Sequence, residues 1–484
     1  MSNLVYGVKD KPGFWKTIVF ALQQVLAILA ATIVVPVIIN TNEDLNAIGI
    51  FAGMSQSAAL LGAGVGTIVY LLFTRFKSPV FLGSSFAFIG SMCAAFAGAV
   101  SVSGSAVLLG DVLVAGQESV IAIGFLGLII GAIMAGLVYV VISLVIKFAG
   151  VDWISKIMPA SVIGPTVAVI GLSLAGNAVG DLTKGSVATC NPYIALLCGL
   201  VTLATVIVCS VYGKKMLKII PFIVGIGAGY AVAAIFTVIG IIADAPALMV
   251  INFSLFENMA WFPEFSFVKA FGAFGEINNF GSYLATVAVA YVPVAFVVFA
   301  EHLADHKNIS SIIGTDLTKD PGLDKTLLGD GIGSMAGAFF GGCPNTTYGE
   351  SVGCVAISGN ASVVTILVAA IICIVTAFFA PFVTLLATIP SCVMGGVCFT
   401  LYGFIAVSGL KMIQKVDLND NKNLFTVSTI LIAGVGGLVL NIGKVTLTAV
   451  ACALILGILV NLLGSIKCKK CAKEENAEEN KDAE

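Results

Sequence analysis

SPVFLGSSFAFIG (Ser78–Gly90) and PNTTYGESVG (Pro344–Gly353) decide how this chain is read. Each is a short run of small polar residues, glycine and Phe, Thr or Tyr, set among long apolar runs. Such residues start helices poorly and suit extended backbone. Each stretch therefore reads as a strand leading into a half-helix. The surrounding chain is 59% hydrophobic and 10% charged, against about 25% charged residues in soluble domains. A water-soluble core cannot bury so much apolar surface, so an all-α polytopic membrane protein is expected. Extended backbone in hydrocarbon survives only if protein covers it or it lines a cavity. The two stretches are expected to pair with each other near the midplane. Ordinary loops dipping into the bilayer are the alternative.

A bilayer-spanning helix needs about 20 apolar residues. The apolar runs predict fourteen spans, at 16–40, 46–73, 80–98, 118–148, 153–176, 191–212, 217–240, 282–305, 327–342, 345–358, 362–388, 391–409, 423–440 and 444–465. Fourteen divides into seven and seven, and an odd number per half makes the halves face opposite ways, as in an inverted repeat. The two quoted stretches then open spans 3 and 10, which correspond. Interrupted segments at matching positions point to a binding site. With both termini in the cytoplasm, the inner side carries 21 of the 24 Lys and Arg, and only Lys184, Lys269 and Lys444 lie outside. That asymmetry satisfies the positive-inside rule. The linker 241–281 places its aromatics at the outer interface, and 467–484 reads as a disordered cytoplasmic tail. The opening MSNLVYGVKDKPGFWK lacks a removable signal pattern. A net charge of −2 gives no field for nucleic acid. The 12 Cys are scattered, and the CKKC pair at Cys468 and Cys471 lacks further zinc ligands, so no metal or cofactor is expected.

FVVFAEHLADHKN (Phe296–Asn308) holds both histidines of the chain. Glu301 in span 8 and Glu350 in span 10 are carboxylates at membrane depth, which are costly and by default functional. Asp305 shares a helix face with Glu301, whereas His306 is rotated by about 100° from Asp305. His302 is read as a hydrogen-bonding partner of neighbouring helices, and His306, beside Lys307, as part of the cytoplasmic mouth. Asp330 in LLGDGIGS reads as a helix-start charge. His302 and His306 lack a third zinc ligand.

AEH in span 8, LGSSFAF in span 3 and PNTTYGE in span 10 resemble the uracil permease branch of the nucleobase–ascorbate transporter family. The likeness runs from about Gly7 to Ile466 and includes LQQ at 22–24, ATIVVPV at 31–37, KDPGL at 319–323 and PSCVMGGV at 390–397. The resemblance implies a core domain of spans 1–4 and 8–11 (14–148 and 282–389). It also implies a gate domain of spans 5–7 and 12–14 (149–281 with the linker, and 390–466). The nucleobase would lie between them, held by Glu301 and Glu350, against Phe86, with Gly349, Tyr348 and Ala31 in backbone or close contact. Two departures stand out. Asp305 occupies the place where such uracil carriers often have His, and Ser351 stands where Asn is usual. Glu350, where the purine carriers have Gln, favours uracil.

The expected function is uracil import by proton symport with alternating access, in the cell membrane, as a homodimer. Asp305, His302 and Glu350 are the coupling candidates. The chain shows no ATP-binding P-loop, so an ion gradient must drive transport. Xanthine or urate as substrate, or sodium as coupling ion, are the alternatives within this class. An anion channel or exchanger on the same architecture is the alternative from another class, and two buried carboxylates oppose it. An intramembrane enzyme lacks a paired nucleophile and base.

Overall fold

The computed structural model describes residues 4–465 apart from 151–156, 215, 258, 260, 443 and 444. The charged tail and its CKKC pair lie outside the described residues. Among the described residues, fourteen helices reach ten residues or more. The first seven are α1 (Phe14–Asn40), α2 (Gln56–Phe73), α3 (Ile89–Val100), α4 (Gln117–Ala149), α5 (Ala160–Ser173), α6 (Pro192–Tyr212) and α7 (Pro221–Ile242). The others are α8 (Phe280–Ile313), α9 (Leu323–Gly341), α10 (Gly349–Ser358), α11 (Val363–Ala377), α12 (Ser391–Ile413), α13 (Asn421–Val435) and α14 (Ala449–Gly464). One falls in each apolar run. Their lengths differ, however. Among the described residues, eight runs hold helices long and apolar enough to cross a membrane, and a ninth is reached if the bent pair α11 and Ala380–Ala387 counts as one span. That pair bends by 82°. Pro381 at the start of the second piece cannot continue the first. Helices α3 and α10 are short because a strand occupies the first part of each run.

Six short strands are present among the described residues: β1 (Leu82–Ser84), β2 (Val107–Leu109), β3 (Val112–Ala115), β4 (Asn345–Thr347), β5 (Leu440–Ile442) and β6 (Val445–Leu447). Strands β2–β3 and β5–β6 are local hairpins. The decisive pair is β1 with β4, antiparallel, with Leu82 opposite Thr347, Gly83 opposite Thr346 and Ser84 opposite Asn345. The ladder continues as Ser85 N–H donates to the Pro344 carbonyl (2.9 Å) and Tyr348 N–H to that of Phe81 (3.3 Å). Both strands are buried. The expected pairing of the two broken stretches is therefore present, and it satisfies backbone groups that hydrocarbon could not. Gly83 is required there, because a Cβ would lie 2.3 Å from the Tyr348 ring.

The helices pack in two sets. In one, α2 lies against α9 and α11, α4 against α3, α8 and α9, and α1 against α11. In the other, α5 lies against α12 and α13, α6 against α7 and α12, and α13 against α14. The α2–α9 contact is backbone-close, and Asn345 Nδ2 donates into it, to the Gly62 carbonyl at 2.9 Å. A Cβ on Gly337 would meet that same amide at 2.3 Å. Gly337→Leu is thus expected to cost several kcal/mol, because the backbones must separate. A melting temperature within a degree or two of the parent's would contradict this. The linker also carries structure: the short helix Ser266–Phe271 packs on α4 and α9, and Phe267 stacks on Phe339 at 4.8 Å.

Candidate functional site

A cavity of about 400 Å³ lies between the two sets of helices. One wall comes from Ala27 of α1, Phe86 and Ala87 in the turn before α3, Glu301, Ala304 and Asp305 of α8, and Thr346 of β4. Tyr348 and the residues Gly349, Glu350, Gly353, Cys354 and Ile357 of α10 complete that wall. The opposite wall is apolar: Val167 and Ile170 of α5, Pro221 and Phe222 of α7, and Leu401, Phe404, Ile405, Ser408 and Met412 of α12. Exposed Lys218 also lines it.

The strand pair explains why the polar groups converge. β4 and the turn after β1 lie beside α8, and the half-helix α10 begins at the cavity. Helix α10 has no side-chain cap at its start. Its first turn therefore offers N–H groups where Gly349 leaves the backbone open. Glu301 and Asp305, four residues apart on α8, face the same space. Thr347 Oγ1 donates to Asp305 Oδ2 at 2.8 Å, which fixes that carboxylate. Tyr348 is 3% exposed and its hydroxyl donates to the Ser84 carbonyl at 2.8 Å, so it holds β1 to β4 while its body lines the wall. Phe86 is half-buried and meets Tyr402 edge-on, with ring centroids 6.2 Å apart.

Two sequence expectations need correction. Asp330 is not a helix-start charge. It lies in mid-α9, fully buried, with Oδ2 2.8 Å from His302 Nδ1. His306 is not at an open mouth. It is fully buried, stacks on His302 with centroids 3.9 Å apart, and donates from Nδ1 to the His302 carbonyl at 2.8 Å. Its Nε2 bonds to the Tyr70 hydroxyl at 2.6 Å, which also bonds to Ser78. Of the expected site residues, Glu301, Asp305, Glu350, Phe86, Gly349 and Tyr348 line one cavity. Ala31 is fully buried in α1, one turn past the lining residue Ala27. His302 lies behind the wall, tied to Asp330 and, through Nε2, to Thr326 Oγ1 at 3.1 Å.

Sequence reasoning missed Ser351 as a joint. Its Oγ accepts from Gln24 Nε2 of α1 and from Phe81 N–H at 3.0 Å, all buried. It thereby ties α1 and the approach to β1 to the residue next to Glu350. Ser351→Ala leaves two buried donors unpaired, at about 1–3 kcal/mol each. A drop of several degrees in melting temperature is expected. An unchanged melting temperature would remove Ser351 from this role.

The Permease family matches residues 15–443. The chain belongs to this family. It is 36% identical over 466 residues to the uracil permease of Bacillus caldolyticus, covering 96% of this chain and 95% of the relative. It is 34% identical over 480 residues to the uracil permease of Bacillus subtilis, covering 98% and 97%. Among solved structures it is similar to the murine Solute Carrier 26 family member A9 anion transporter in the inward-facing state, with a TM-score of 0.62. That match has 13% identity and covers 94% of this chain and 69% of that one. At that identity the likeness concerns the fold alone. Membership in a permease family makes the chain a transporter rather than an enzyme, and its apolar helices make it an integral membrane protein.

Proposed function

We propose that the chain imports uracil by proton symport, moving between inward- and outward-open states. The observation that carries this reading is the convergence of Glu301, Glu350 and the uncapped start of α10 on one cavity faced by Phe86. Uracil presents two N–H donors and two carbonyl acceptors. Carboxylates accept from the N–H groups, and N–H groups of the α10 first turn serve a carbonyl. The Phe86 ring covers one face of the flat base. The named substrate of the two relatives supports the same assignment.

In this reading α1–α4 and α8–α11 form the core, and α5–α7 and α12–α14 form the gate that rocks against it. The packing of α2 on α9 and of α5 on α12 suits two halves related as an inverted repeat, because each pair joins corresponding members. Asp305 is the coupling group: it borders the cavity, one turn from Glu301. Glu350 takes part by binding the base, and His302 acts from behind the wall. Both termini are cytoplasmic and two copies associate. The fold shared with an anion transporter does not favour an anion here, since three carboxylates line the cavity.

The discriminating experiment is equilibrium binding of labelled uracil to the purified protein, with unlabelled uracil, xanthine and urate as competitors. Uracil is expected to displace the label at least tenfold better than either purine. Equal displacement by xanthine would assign the site to purines.

A further inference from the structure

At the far end of α12 from the cavity mouth, the two helix sets meet through charges. Glu43 starts the short helix Glu43–Ala47 that follows α1, and Asn42 caps that helix by accepting from Leu45 N–H at 3.0 Å. Lys184 lies in the turn after the short helix Ala175–Asp181 that follows α5. The Lys184 carbonyl accepts from Cys392 N–H at 2.8 Å, so this turn is fixed to the start of α12. From there Lys184 Nζ reaches Glu43 Oε1 at 2.7 Å, with buried Asp181 Oδ1 3.9 Å away on the same side as Lys184. The Glu43 carboxylate passes close over Gly180, where a Cβ would lie 3.3 Å from Oε1.

The position matters more than the pair. Helix α12 carries Cys392 at one end and the cavity residues Leu401 to Met412 along the rest. At 1.5 Å per residue Cys392, to which the Lys184 turn is fixed, lies about 13 Å along the axis beyond the nearest of them. Lys218 and Met412 border the cavity at the opposite end. By the distribution of Lys and Arg, Lys184 belongs to the outer side and Lys218 to the inner side.

We propose that the Glu43–Lys184 ion pair, backed by Asp181, is an outer latch that holds the core to the gate while the cavity is open towards the cytoplasm. The proposal rests on the alternating-access reading above. Two opposite charges on different moving bodies stabilise the state in which they meet and must separate for the outer side to open. Asp181 keeps the Lys184 ammonium in place on the gate, so Glu43 is the member that leaves.

The test uses Ile170→Cys, which places a thiol on the cavity wall, in right-side-out vesicles exposed to a membrane-impermeant maleimide; the same chain without that cysteine gives the background. Adding Glu43→Gln or Lys184→Met is expected to raise the external labelling rate of Cys at 170 by roughly two- to fivefold, the range of a part-exposed ion pair. Lys184→Arg is expected to keep the parental rate. Both side chains are more than a third exposed, so neutralising them does not threaten the core. Unchanged labelling in Glu43→Gln and Lys184→Met would overturn the latch, as would Lys184→Arg labelling as fast as Lys184→Met. Uracil uptake in vesicles carrying the unsubstituted chain separates the two levels: uptake with unchanged labelling sinks the latch alone, and absent uptake sinks the transport reading.

Discussion

Asp305→Asn is expected to bind uracil with near-parental affinity and to exchange internal for external uracil, yet to lose proton-driven accumulation. Asn keeps the shape of Asp and a hydrogen-bonding oxygen for Thr347, whose hydroxyl donates to Asp305 Oδ2 at 2.8 Å. It removes the one property a coupling group needs, the ability to take up and release a proton. The effect is large because the driving force is large. One charge moved through 100 mV is worth about 2.3 kcal/mol, about fiftyfold in concentration. The variant should level uracil across the membrane where the parent concentrates it. Accumulation at the parental level in Asp305→Asn would move coupling to Glu350 or His302.

The second large effect is on binding. Glu301→Gln and Glu350→Gln should each weaken uracil affinity by more than tenfold, measured by calorimetry on purified protein. A hydrogen bond to a charged group contributes about 1.5–3 kcal/mol, and each substitution also turns an acceptor edge into one that presents a donor. The two residues come from helices almost fifty positions apart in sequence, so their losses need not add if the base shifts in the pocket. Near-parental affinity in both variants would take them out of the site.

The broken stretches were legible because hydrocarbon leaves so few options for polar, glycine-rich sequence at membrane depth. Two such stretches at matching places had to cover each other, and Leu82–Ser84 does pair with Asn345–Thr347. The carboxylates were legible for the same reason, as charge in an apolar run demands an explanation. What the sequence hid was non-local. LLGDGIGS looks like a helix start because nothing near it shows the partner of Asp330; that partner, His302, lies on the preceding long helix. His306 next to Lys307 looks exposed until Tyr70, 236 residues away, closes over it. Ser351 looked like a weakening of the motif, and its two donors come from α1 and the run before β1. The run 362–388 looked continuous although Pro381 marked its break, a local signal outweighed by apolar length.

Gradient-driven uptake is the most direct test of the central claim. Purified protein is reconstituted into proteoliposomes, and labelled uracil is followed with and without an inward proton gradient, then after a protonophore. The account predicts accumulation above the external concentration only with the gradient, collapse on protonophore addition, and no accumulation when a sodium gradient replaces it. Uptake that merely equilibrates under the proton gradient, or that concentrates uracil with sodium alone, would contradict it.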